Sequence, residues 1–286
     1  MVNPMALMSI CGLLVLAGLV AVVRWGGREV EPPAADEPTQ RPSAGLVARR
    51  YLRYVTLAVV AGVGAGVLIT GAGGRLAMRL LVATSGESAQ GRVTEAEEIV
   101  GRISTSGTVS FVLGEALFIG LPSGLIYLLI RRWLPAGRLG GVAYGVLLLV
   151  VAGTTFEPLR ADNPDFDIVG PGWLAVIAFG AVVVAHGMLV AALAGRYSTV
   201  LPLPSRDRRS LVAHAPLLAL VPVAPVAAVF AVVGAVTVGV SRMQRVVTLL
   251  RSHGARIAGR VVLVAVSLVA LPGFVSTLID IAGRRP

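Results

Sequence analysis

The sequence predicts an all-α polytopic transmembrane helix bundle of about seven spans, one N-terminal helix followed by a six-helix core. Three observations carry this. The 286 residues are 56% hydrophobic and 14% charged, with a mean hydropathy of +0.83, whereas a soluble domain has about 25% charged residues. The apolar residues gather in blocks close to the ~20 needed to cross about 30 Å of hydrocarbon. All 25 basic residues are arginines, and most flank these blocks. Backbone polar groups in lipid must be satisfied within the span, so the blocks are read as helices. An ordinary soluble enzyme, a disordered chain and a disulfide scaffold are excluded. The lone Cys11 makes neither an internal disulfide nor a Cys-based zinc site.

The first block is Met5–Val23. No arginine precedes it, and Arg24 and Arg28 follow it. A signal peptide has the opposite polarity, so residues 1–23 read as an uncleaved transmembrane helix with its N-terminus outside. Residues 24–50 contain EPPAADEPTQRPSAG, which has nothing to build a core from, and read as a Pro-rich flexible linker. Residues 51–286 form the six-helix bundle. Its spans are Tyr54–Gly74, Val109–Ile130, Leu139–Phe156, Trp173–Leu193, Leu211–Val240 and Val261–Ile281.

Arginines also set orientation, because they are retained on the cytoplasmic side. A single kinked crossing at 211–240 puts 15 arginines inside and ten outside, with the C-terminus cytoplasmic. Five of those ten lie between Arg242 and Arg260, which conflicts with the rule. A re-entrant hairpin bent at Pro222 and Pro225 moves them inside, giving 18 against seven. Each arm would then have about 14 residues, too short to span, so the single crossing is the expectation. Met243, Val246, Val247 and Leu250 make an apolar stripe suited to a helix lying in the interface.

Gly62, Gly66, Thr70 and Gly74 recur every four residues, and Gly120, Gly124, Gly141 and Gly145 lie in the next two spans. Small residues let helices approach closely in lipid. The run GAGGR at 71–75 completes no phosphate-loop pattern. Thr94 followed by Glu97 has capping-box spacing, and Ile99, Val100 and Ile103 share a helical face, so an external amphipathic helix is expected near 94–104.

Ionisable residues inside spans are the best pointers to function, because an unpaired charge in lipid is costly. Glu115 and His186 are therefore the candidate intramembrane polar site. Arg75, Arg79, Glu157, Arg160, Asp162, Asp165 and Asp167 form a candidate outer polar cluster. There the carboxylates are expected to pair with Arg75, Arg79, Arg92 or Arg102. The aspartate spacing does not match a calcium loop, so no metal site is expected. No H-E-x-x-H or G-x-S-x-G signature is present, and neither a catalytic residue nor a cofactor is assigned. The lipid bilayer is the expected partner. Nucleic acid is not, because the charge of +10 resides in arginines that set topology against anionic lipid.

GRLAMRLL (74–81), TEAEEIVGRI (94–103), FEPLRADNPDFDIVGPGWL (156–174) and LPGFVSTLIDI (271–281) resemble segments of actinobacterial multi-pass integral membrane proteins, a group to which no activity is assigned. The resemblance covers about 48–281 and implies no activity. The expectation is a plasma-membrane protein that transports or conducts a small solute or ion. The alternative is a non-catalytic membrane scaffold or partner-binding protein. A third reading is a membrane enzyme acting on lipid-linked substrates through the outer cluster.

Overall fold

The computed structural model describes residues 3–33, 43–156 and 158–284. Its helices are α1 (Pro4–Trp25), α2 (Ala44–Thr84), α3 (Thr105–Trp133), α4 (Arg138–Val151), α5 (Gly172–Ser198), the short α6 (Arg208–Ala213), α7 (Ala224–Ser241), α8 (Gln244–Arg251) and α9 (His253–Ala282). Among the described residues, six are long and apolar enough to cross a membrane: α1, α2, α3, α5, α7 and α9. The 14-residue α4 is apolar but shorter.

Two helices contain a wide π turn, Gly66–Gly71 in α2 and Glu115–Gly120 in α3. The two turns pack against each other, and glycine makes that possible. A Cβ on Gly62 would collide with the Gly120 carbonyl, one on Gly124 with the Ala58 carbonyl, and one on Gly66 would lie 2.5 Å from the Ala116 Cα. Thr70 leaves the expected four-residue glycine series. The extra residue of the π turn rotates the helix, so Gly71 faces Val112 of α3 and Thr70 faces α5. On the other side α4 packs on α5 through Gly141, Gly145 and Gly187.

The first helix is not set apart from the core. α1 packs along α2 and α5, with Gly18 against Ile69 and Leu189. The segment behind it is anchored as well. Arg53, itself buried, donates to the carbonyls of Leu201 (2.8 Å), Ser198 (2.5 Å) and Glu31 (3.3 Å). Helix α2 begins at Ala44, inside the stretch expected to be linker. The middle of that stretch, 34–42, lies outside the described residues.

The segment 211–240 is not the single kinked crossing expected. Ser210 bonds the Leu203 carbonyl at 3.4 Å, and Arg49 bonds Pro204 at 2.6 Å, at the end of the bundle where α1 and α5 finish. The chain then runs through a 3₁₀ segment, Ala215–Leu220. It turns at Pro222 where Val223 is buried with Ala58, Leu121, Leu125 and Phe230. Along α7 it returns, with Tyr51 donating to the Phe230 carbonyl and lying against Gly234. Arg132 then holds the Leu250 carbonyl of α8 at 2.9 Å, at the starting end. The chain thus leaves and returns to one end of the bundle, the course of the hairpin alternative, while α7 by itself is long and apolar enough to cross a membrane.

The last helix corrects a second expectation. Trp133 covers Gly259 near the start of α9, and the far end packs the Ile281 carbonyl against Gly172. The start of α1 is at that same far end, since α1 runs parallel to α5, from which Gly172 leads. The first and last described residues, Asn3 and Arg284, therefore lie at one end of the bundle, not at opposite ends. Seventeen of the 23 described arginines lie toward the other, arginine-rich end, in 24–53, 131–138, 196–209 and 242–260, and six lie toward the end with Asn3 and Arg284.

The expected amphipathic helix at 94–104 is a hairpin-like loop. Val93 bridges Ile99, Thr94 N–H donates to the Glu98 carbonyl at 2.9 Å, and Glu97 has φ 58°. The Thr94 hydroxyl closes this turn through the Glu98 N–H at 3.2 Å. Helix capping falls instead to Ser104, which accepts from Gly107 N–H at 3.1 Å and starts α3.

Candidate functional site: a buried polar chain through four helices

His186 is buried in the middle of α5. Its Nδ1 lies 2.6 Å from the Thr70 hydroxyl of α2, and its Nε2 lies 2.9 Å from the Ser123 hydroxyl of α3. The Ser123 hydroxyl is 3.1 Å from the Tyr144 hydroxyl of α4, which donates to the Ser123 carbonyl at 2.6 Å. Each of four helices contributes one side chain.

One assignment of the protons satisfies the whole chain. The Tyr144 proton goes to the Ser123 carbonyl, so the Ser123 hydroxyl donates to Tyr144. Nε2–H of His186 then donates to Ser123, and Nδ1 accepts from Thr70. A neutral imidazole in this tautomer satisfies every group with one proton each. A buried polar atom left without a partner costs about 1–3 kcal/mol, so the chain fixes the mutual register of α2, α3, α4 and α5.

Glu115 is half-buried and opens the π turn of α3. The hydrogen bonds of the His186 chain run to Thr70, Ser123 and Tyr144, and Glu115 is not among them. The two residues expected to form one intramembrane site are thus not joined by them. Thr70 was singled out in the sequence only as a small residue of the glycine series, and Ser123 and Tyr144 were not. Their signal was there: each is a hydroxyl inside an apolar span.

At the end carrying Asn3 and Arg284, the outer cluster is a set of loop clasps. Arg160 grips Glu95 at 2.5 and 2.7 Å and Asp162 at 3.6 Å. Asp165 accepts the Glu95 N–H at 2.8 Å. Burial pushes the Asp165 carboxyl above its ordinary range, and the Glu95 carboxylate adds to this. The Glu95 N–H and Arg160 act the other way. Arg284 pairs with Asp167 at 3.3 Å and donates to the Asn163 and Ala161 carbonyls.

Arg75 and Arg79 share a helix face as expected but do not pair with these aspartates. Arg75 is buried, donates to the Thr108 hydroxyl at 3.0 Å and lies over the Phe111 ring. Arg79 donates to the Arg102 carbonyl. Glu157 lies outside the described residues. No group of His, Cys, Asp and Glu able to hold a metal ion occurs among the described residues.

Comparison with protein-family models, with curated proteins and with solved structures gives no match.

Proposed function

We propose that this chain is a multi-pass plasma-membrane protein that acts as a non-catalytic scaffold or partner-binding bundle. The observation that supports this reading is the closed hydrogen-bond chain from Thr70 to Tyr144. The polar side chains best placed to line a path are bonded to one another across four helices. The same reading places the arginine-rich end in the cytoplasm, following the retention of arginine there, and Asn3 and Arg284 outside.

Transport of a small solute or ion is the second reading. The facing π turns favour it, because such turns occur frequently at functional sites and Glu115 opens one of them.

Flux measurements on the full chain in proteoliposomes separate the two. The scaffold reading expects proton and small-cation flux at the level of empty vesicles, unchanged in Glu115→Gln and His186→Phe. Flux above that level, abolished by Glu115→Gln, would overturn it in favour of transport.

A further inference from the structure

At the arginine-rich end the fold forms a half-open cavity of about 490 Å³. Three segments far apart in sequence form its wall: 27–30 behind α1, 131–137 between α3 and α4, and 250–260 at the junction of α8 and α9. Six arginines line it, Arg28, Arg131, Arg132, Arg251, Arg256 and Arg260, with Glu29 as the one carboxylate.

The wall is built rather than incidental. Arg131 donates to the Val30 carbonyl at 3.1 Å, and Arg132 to the Leu250 carbonyl at 2.9 Å. The Trp133 indole, packed over Gly259, brings α9 against the α3–α4 turn. Among the described residues, the guanidinium groups of Arg28, Arg251, Arg256 and Arg260 make no ion pair or hydrogen bond with protein. Six guanidinium groups around one concavity repel one another unless a counter-charge enters. Their planar forks match phosphate oxygens.

Size and surroundings narrow the occupant. The volume falls within the range of small-molecule sites and exceeds what a bare phosphate needs. The cavity abuts the amphipathic α8, where Leu249 and Leu250 are exposed. From its rim α9 runs on with Val261, Val262 and Val264 exposed, an apolar track along which acyl chains can lie.

We propose that this cavity holds the phosphodiester headgroup of an anionic phospholipid. The inference rests on the chain lying in a membrane and is independent of the choice between scaffold and transport.

The test is native mass spectrometry of the purified full chain, titrated with phosphatidylglycerol or phosphatidylcholine. The cavity variant is Arg256→Gln with Arg260→Gln. The comparison variant is Arg208→Gln with Arg209→Gln, which removes the same charge from the same end outside the cavity. Thermal unfolding in neutral lipid checks that both variants fold.

Wild type is expected to prefer phosphatidylglycerol. The cavity variant should bind it roughly thirtyfold more weakly, from about 1 kcal/mol per arginine, and the comparison variant should bind nearly as wild type does. Equal loss in the two variants would reduce the effect to general surface charge and overturn the site, as would full retention in the cavity variant. Displacement of the lipid by glycerol phosphate at a similar concentration would overturn the lipid assignment and transfer the site to a soluble phosphate ester.

Discussion

The carbonyl of Gly120 occupies the place a side-chain carbon on Gly62 would need. Gly62→Ala therefore forces α2 and α3 apart where their π turns meet. Overpacking of this kind costs about 1–3 kcal/mol, so thermal unfolding in detergent should show a clear drop in midpoint. Gly12 of α1 has open space around the position a Cβ would take, with nothing within 4 Å, and Gly12→Ala should leave the midpoint unchanged or slightly raised. Similar behaviour of the two variants would contradict the close approach.

The chain of hydroxyls around His186 makes a coupled prediction. Ser123→Ala removes the acceptor of Nε2–H and the partner of Tyr144, and should cost about 1–3 kcal/mol. His186→Phe in the Ser123→Ala background should cost less than in wild type, since the bond between them is already lost. A double-mutant cycle by reversible unfolding measures this, and strict additivity would mean that the two residues do not act together.

The loop clasp between Arg160 and Glu95 is partly solvent-exposed. Exposed pairs contribute about 0–1 kcal/mol and weaken with salt. Glu95→Gln should therefore change global stability little, yet speed amide exchange in 94–100 and 160–167, less so at high salt. Unchanged exchange at low salt would show that the clasp does not hold the loops.

Asp165 supplies a pH dependence. Its carboxyl titrates above the ordinary aspartate value in the folded chain, mainly through burial. The folded loop then holds the proton more tightly than the unfolded chain does. Its contribution is fully present below the ordinary value and is lost as pH rises through the raised one. Asp165→Asn keeps an oxygen for the Glu95 N–H and should flatten that decline in stability. Parallel pH profiles for wild type and variant would refute this.

The path of 211–240 can be read by labelling. Single cysteines at Ser205, Ser252 and Ser106 in a Cys11→Ala background, probed with an impermeant thiol reagent, should place Ser205 and Ser252 on one side and Ser106 on the other. Ser252 labelling together with Ser106 would restore a single crossing.

Hydropathy located α1, α2, α3, α5 and α9, because a span is set by composition over some twenty residues, but it merged α7 with the 3₁₀ segment before it and counted the shorter α4 as a span. What else sequence reading missed depended on partners remote in the chain. Thr94 and Glu97 have capping-box spacing, but Asp165 captures the Glu95 N–H and the segment folds back on itself. The arginines between Arg242 and Arg260 pointed to the hairpin course, and the length argument against it assumed two equal arms, whereas α7 by itself is long enough to cross. His186 was recognised by its charge type. Its hydroxyl partners, Thr70 and Ser123, come from two other helices, and the π turn that aims Thr70 at it has no local sequence signature.

The brevity of α4 has a consequence for the surrounding lipid. Fourteen residues rise only about 21 Å, well short of the ~30 Å hydrocarbon core, while α2 with 41 residues extends far beyond it. In a bilayer, thinning beside α4 is the expected response to that shortfall, and such a sector would suit short or disordered acyl chains better than long saturated ones.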